Sequence, residues 1–172
     1  LSASGPYQGK VRRLSDEKEP RKIAFLQCVG SRDERSNEYC SSVCCMAAMK
    51  EALLAQEHVE GLETHIFFMD IRAFGKEFDD YYIRAKEKYG IKFTRCRIPN
   101  IEEDAHTNNL ILSYLENEEM KQEVFEMVVL STGLIPPRSN DAISDILGID
   151  LNESGFCSTK YFSPMTSSRP GI

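Results

Sequence analysis

KIAFLQCVGSRDERSNEYCSSVCCMAAMK, residues 22–50, decides the fold. KIAFLQCV, at 22–29, is a short, nearly unbroken apolar run, the pattern of a buried strand. GSRDERSNEY is polar and reads as a loop. From Cys40 the composition turns to Ala, Met, Leu, Lys and Glu, with Val43, Ala47 and Leu54 on one apolar side, so a helix is predicted over 40–58. A buried strand that hands over to a helix is where a dinucleotide fold places G-x-G-x-x-G, because only glycine lets the backbone approach a pyrophosphate at a helix N-terminus. Here Gly30 is the only glycine available, and the stretch holds Cys28, Cys40, Cys44 and Cys45 instead.

Working outward, THIFFMDI at 64–71 reads as a second buried strand and IKFTRCRI at 91–98 as a third. Between them KEFDDYYIRAKEKYG, 76–90, is amphipathic, with Phe78, Tyr82 and Ala85 on one side and Gly90 suited to the C-cap. Strand, helix, strand, helix, strand implies a parallel sheet. NIEEDA, NNLILSYLEN and KQEVFEM then read as short antiparallel strands, with HTNN and ENEEMK as turns. VVLSTGLIP, 128–136, is a last buried strand, and a short helix with a hairpin is expected beyond it. The fold class is α/β: a Rossmann-like, three-layer nucleotide-binding-type domain with parallel strands and an antiparallel meander, of the sort inserted in thioredoxin-reductase-like flavoproteins. Residues 1–21, rich in Gly, Pro, Ser and charge, read as a linker or entering segment; 22–136 is the Rossmann-like domain and 137–172 a separate closing segment. The chain opens on Leu1 and stops at SSRPGI, so it reads as an excised piece.

Composition bounds the function. With 28% charged and 41% apolar residues and a net charge of −6, the chain is ordinary for a soluble globular protein, and no basic run marks a nucleic-acid partner. No apolar run reaches the roughly 18 residues of a membrane span, and no secretory leader is visible, so a cytoplasmic location is expected. Six cysteines in 172 residues are too few for a disulfide scaffold, and clustered cysteines without export signals point to metal or redox chemistry.

On the predicted helix Cys40 and Cys44 are one turn apart on one face, Cys45 lies about 100° around from Cys44, and Cys28 ends the preceding strand. A helix N-terminus lowers thiolate pKa and favours an anionic metal–sulfur centre. The spacing leaves a [4Fe–4S] cluster, a zinc or redox-thiol site, and structural cysteines all open. Cys96 and Cys157 are assigned no role. The acidic residue expected after the second strand is Asp70, far from the loop, so any NAD(P)H site is degraded. Arg72 and Lys76 are candidates for meeting an anionic cofactor, with a solvated basic loop as the alternative. His58, His65 and His106 read as surface or satisfied histidines, and the acidic stretches near 100–126 as a solvated face.

IAFLQCVGSRDERSNEYCSSVCCMAAMKEALLAQEH, IFFMDIRAFGKEFDDYY and VVLSTGL together resemble the A subunit of heterodisulfide reductases and its relatives, the quinone-interacting membrane-associated oxidoreductase flavoproteins. The resemblance covers nearly the whole chain. It implies a thioredoxin-reductase-like flavoprotein with iron–sulfur centres that passes electrons, and it matches Cys28, Cys40, Cys44 and Cys45 to the family's cluster-binding cysteines. It also implies that FAD is held mainly by sequence outside this chain. The flanks 1–21 and 137–172 would then be parts of the FAD domain, other subunits of an electron-transfer complex the partners, and the piece alone inactive. A different class of reading stays open: a non-catalytic docking module derived from a nucleotide-binding domain, with zinc-binding or structural cysteines.

Overall fold

Alternation along Lys22–Val29 builds the centre of the molecule. In this strand, β1, Ile23 and Phe25 point to one side and Ala24 and Leu26 to the other, and all four are buried. Both faces of β1 therefore need a covering layer. The computed structural model describes residues 1–172 and supplies both layers.

Helix α1 (Cys44–His58) follows β1, and strand β2 (Glu63–Phe68) returns parallel to it, Phe25 facing Ile66. Helix α2 (Phe78–Glu87) leads to β3 (Lys92–Arg95), parallel to β2. Three short strands follow, β4 (Asn100–Glu103), β5 (Leu110–Glu116) and β6 (Glu119–Phe125), forming an antiparallel sheet of their own. Then β7 (Met127–Thr132) comes back to pair in parallel with β1, so the main sheet runs β3-β2-β1-β7. The predicted fold class is the observed one.

On the helix side of that sheet, Ile23, Phe25 and Ile66 pack with Met49, Ala52 and Ala55 of α1 and with Ala85 of α2. The alanines let α1 lie close to the strands. On the other side, Ala24, Leu26 and Phe67 pack with Leu112, Tyr114 and Phe125 of the meander. Phe25, Phe67 and Phe125 are each about 2% exposed or less, and burial of each contributes on the order of 1.5–3 kcal/mol. Between the two sheets His65 is buried. It stacks on Phe67 at 4.0 Å, with Nε2 2.9 Å from Thr94 Oγ1 and Nδ1 3.3 Å from Glu123. Glu123 also meets Lys22 at 2.7 Å, and the Tyr114 hydroxyl donates to it at 2.9 Å. His65 is thus a core histidine bonded through Nε2, while its buried Nδ1 makes no hydrogen bond and burial holds its pKa down.

Several elements end earlier than in the sequence reading, β2 stopping at Phe68, β3 at Arg95 and β7 at Thr132, and two boundaries differ for a local reason. The turn expected over ENEEMK is only Asn117 and Glu118, both with positive φ, because a two-residue turn of that twist suits a hairpin and frees Glu119–Lys121 to pair. The helix expected from Cys40 starts at Cys44. Ser42 sits at φ +63°, and its N–H turns back to Cys40 Sγ at 3.3 Å, a local bond that competes with helix.

The chain divides into two units, Leu1–Gly133 and Leu134–Ile172. The second holds α3 (Asn140–Leu147), ended by Gly148 at φ +63°, and a small hairpin of β8 (Thr159–Lys160) and β9 (Ser163–Ser167). Asn140 donates to the Gly155 carbonyl at 2.9 Å, which ties the helix start to the Asn152–Phe156 turn. No helix is long and apolar enough to cross a membrane.

Candidate metal centre

Three pieces of chain meet at the carboxyl end of β1. The first is a bulge. The pairing of β1 with β7 slips between Leu26 and Val29, and Cys28 lies in the slip at φ +60°. The second is the loop from Gly30 to Val43. It folds back on itself through Arg32 N–H to the Tyr39 carbonyl, Asp33 N–H to the Asn37 carbonyl, and the Asn37 side chain to the Gly30 carbonyl at 2.8 Å. This return carries Cys40 back toward Cys28. The third is the first turn of α1, which opens on Cys44 and Cys45, both buried.

Cys40 therefore reaches the site from the loop and not, as the spacing suggested, from the same helical face as Cys44. Cys40 and Cys44 each lie close enough to Cys28 to perturb it electrostatically. Cys45 adjoins Cys44, and its thiol also faces the Asp70 carbonyl at 3.9 Å. All six cysteines of the chain are free thiols. Cys96 lies beyond β3, packed against the meander core, and Cys157 is exposed in the second unit.

The four thiols are not equivalent. The Cys45 thiol donates to Cys44 and the Ser41 hydroxyl reaches it at 3.6 Å, so Cys44 falls to about 5 despite its burial. Cys45, which gives up its proton only by losing that bond, is pushed up, and burial adds to the rise. Cys28 is raised by burial and then by Cys44, while the Arg32 guanidinium pulls the other way. Cys44 thus ionises before Cys28 and Cys45, at the positive end of a helix.

Asp70 and Arg72, on the loop after β2, close the other side. The Asp70 carboxylate takes two bonds from the Arg32 guanidinium, at 2.5 and 3.0 Å, and one from Arg72 Nε at 3.3 Å. Those arginines hold it well below the usual carboxylate range. The Arg72 backbone N–H points at Cys45. Lys76 is elsewhere, lining a groove between α1 and α2 with Met46, Leu54 and Tyr81. Beside the thiols, at the strand ends, a cleft of about 350 Å³ is lined by Cys28, Asp33, Arg35, Met69, Cys96 and Arg97.

Gly133, just past β7, seals the bulge. Its N–H donates to the Val29 carbonyl at 3.1 Å, and a Cβ there would lie 2.1 Å from Ser31 Oγ. The sequence reading missed Arg32, Asp70 as its clamp, and Gly133. GSRDER looks like any solvated loop, and nothing in its pattern marks which arginine turns inward.

No family model matches the chain. Curated proteins do. The chain is 46% identical over 159 residues to an iron-sulfur A subunit of the CoB--CoM heterodisulfide reductase of Methanopyrus kandleri, covering 91% of this chain and 24% of that protein. It is 42% identical over 161 residues to the A subunit of the H(2):CoB-CoM heterodisulfide,ferredoxin reductase of Methanothermobacter thermautotrophicus, with the same coverage. The chain thus spans about a quarter of the length of the curated relatives it matches. Among solved structures, T. acidophilum thioredoxin reductase superposes with a TM-score of 0.54 at 16% identity, over 90% of this chain and 42% of that one. Lactococcus lactis thioredoxin reductase gives 0.53 at 18% identity, over 96% and 45%. The fold is therefore thioredoxin-reductase-like, and over most of its length the chain is similar to one segment of heterodisulfide reductase A subunits.

Proposed function

We propose that Cys28, Cys40, Cys44 and Cys45 hold a [4Fe–4S] cluster, and that this domain relays single electrons between the cluster and an FAD bound mainly by other parts of a longer oxidoreductase. The carrying observation is the meeting of four free thiols, with Cys44 already poised as a thiolate, at the strand end where a nucleotide fold would bind pyrophosphate.

All four donors are soft sulfurs, the ligand type of an iron–sulfur cluster. No three His, Cys, Asp or Glu side chains converge on one ion-sized point. A single zinc needs such a point, with each sulfur about 2.3 Å from the metal. A cubic cluster presents its irons at separate corners, one for each thiolate. The cluster would supply one-electron chemistry; the protein's part is to hold four soft anionic ligands, shield them with β1 and α1, and offset their charge with Arg32 and the start of α1. The relatives carry names of A subunits, one of them iron-sulfur, and this supports a parent complex in which other subunits are the electron partners. A cytoplasmic setting suits that role.

The test is iron and acid-labile sulfide per chain, with EPR of the reduced protein, across all six Cys→Ser variants prepared anaerobically. Serine replaces a soft sulfur with a harder, less acidic oxygen. Occupancy is expected to fall sharply for Cys28, Cys40, Cys44 and Cys45, and to stay near wild type for Cys96 and Cys157. Full iron in Cys28→Ser would overturn the four-cysteine site. A colourless, zinc-positive wild-type sample would favour the docking module instead.

A further inference from the structure

Arg32 is the charged side chain of the 30–43 loop that turns from the surface onto Cys28. Its guanidinium is 21% exposed, whereas Arg35, three residues on, is 90% exposed and bound only to Asp33. Two features fix it. Both terminal nitrogens engage both oxygens of Asp70, the bidentate geometry that sets an arginine's position most tightly. And Arg97 donates to the Arg32 carbonyl at 3.3 Å, holding its backbone at φ +56°, a conformation arginine rarely takes. Asp70 is itself part of the site wall, since its carbonyl faces the Cys45 thiol. One residue thereby touches Cys45 through its backbone and, through its carboxylate, orients the cation that lies beside Cys28.

We propose that Arg32, clamped by Asp70, is a positioning residue that sets the reduction potential of the centre, by placing a fixed positive charge against its Cys28 side. The inference rests on the four-thiolate reading above. A reduced cluster carries one more negative charge than an oxidised one, so a cation held nearby stabilises the reduced form and raises the potential. Lysine cannot reproduce the effect fully, because it lacks the fork that locks the charge in place.

The experiment is a redox titration of the 172-residue chain, reconstituted anaerobically with iron and sulfide and followed by EPR. Arg32→Asn removes the charge while tolerating positive φ. Its potential is expected to fall so that the oxidised-to-reduced ratio at a fixed potential rises about tenfold, ~59 mV for a one-electron couple. Arg32→Lys should lie between Arg32→Asn and wild type. Arg84→Asn removes one charge from α2, away from the thiols, and should leave the potential unmoved. Asp70→Asn separates positioning from summed charge. Loss of a negative charge alone would raise the potential, whereas release of Arg32 lowers it toward the Arg32→Asn value, which is the expected result. A raised potential in Asp70→Asn, or no shift in Arg32→Asn with wild-type iron content, overturns this proposal and leaves the cluster reading standing. If wild-type chain takes up no iron and sulfide, both fall together.

Discussion

At the residue scale, the thiols differ in the pH at which each becomes a nucleophile. Cys44 is drawn down to about 5 by the bond from Cys45, and Cys96 is pushed up to about 11 by burial. A thiol reacts as thiolate, so a depressed pKa means reactivity persists as pH falls. In metal-free protein, alkylation of Cys44 should already be near its plateau at pH 7, whereas Cys28, Cys45 and Cys96 should still accelerate as pH is raised. Peptide mass spectrometry across a pH series reads this directly, and a Cys44 rate that climbs steeply above pH 7 would contradict the assigned order. Backbone strain gathers at the same place. Cys28, Arg32 and Ser42 are all non-glycine residues with positive φ, each at a cost of roughly 1–2 kcal/mol. Ser42→Gly keeps the N–H bond to Cys40 and relieves one of the three; it should raise stability by up to about 1 kcal/mol in a thermal melt, with iron uptake unchanged.

At the scale of elements, β7 and the cysteine loop fit only because residue 133 is glycine. Its φ is ordinary, so the reason is close approach and not conformation. Gly133→Ala should cost ~1–3 kcal/mol, as overpacking does. The obstacle is the Ser31 hydroxyl, which is buried and has no hydrogen-bond partner; the Ser31 Cβ would be a tolerable 3.4 Å away. Ser31→Ala should therefore be near neutral alone, and should recover most of the loss in the double variant. A denaturation cycle over the four proteins measures this, and strict additivity would show that the contact is not the cause. The main sheet was legible in advance because β1, β2 and β7 are compact apolar runs, and the meander, whose β4 and β6 are largely charged, was legible from the turns between its strands. The helix start was not. Cys40 to Val43 has helix-compatible composition, but a sulfur turn and a left-handed Ser42 decide otherwise, and neither leaves a mark in hydrophobic periodicity. The site was legible as a set of cysteines. Its electrostatics were not, because the Arg32–Asp70 pair joins two loops 38 residues apart.

At the scale of the whole molecule, the first unit has two filled cores and a thiol pocket, with no glycine-rich phosphate loop. Flavin should not copurify stoichiometrically with these 172 residues, as judged by flavin absorbance after gel filtration; a 1:1 yield would place the FAD site inside this chain.

The bond from Gln27 to Ser131 spans 104 residues. Translation proceeds at roughly 5–20 residues per second, so the cysteine-bearing end of β1 leaves the ribosome about 5–20 s before the strand that seals it. Until β7 arrives the bulge has no lid, and its thiols are open to whatever the cell delivers. The same exposure, before β7 pairs, leaves Cys28 open to an oxidant.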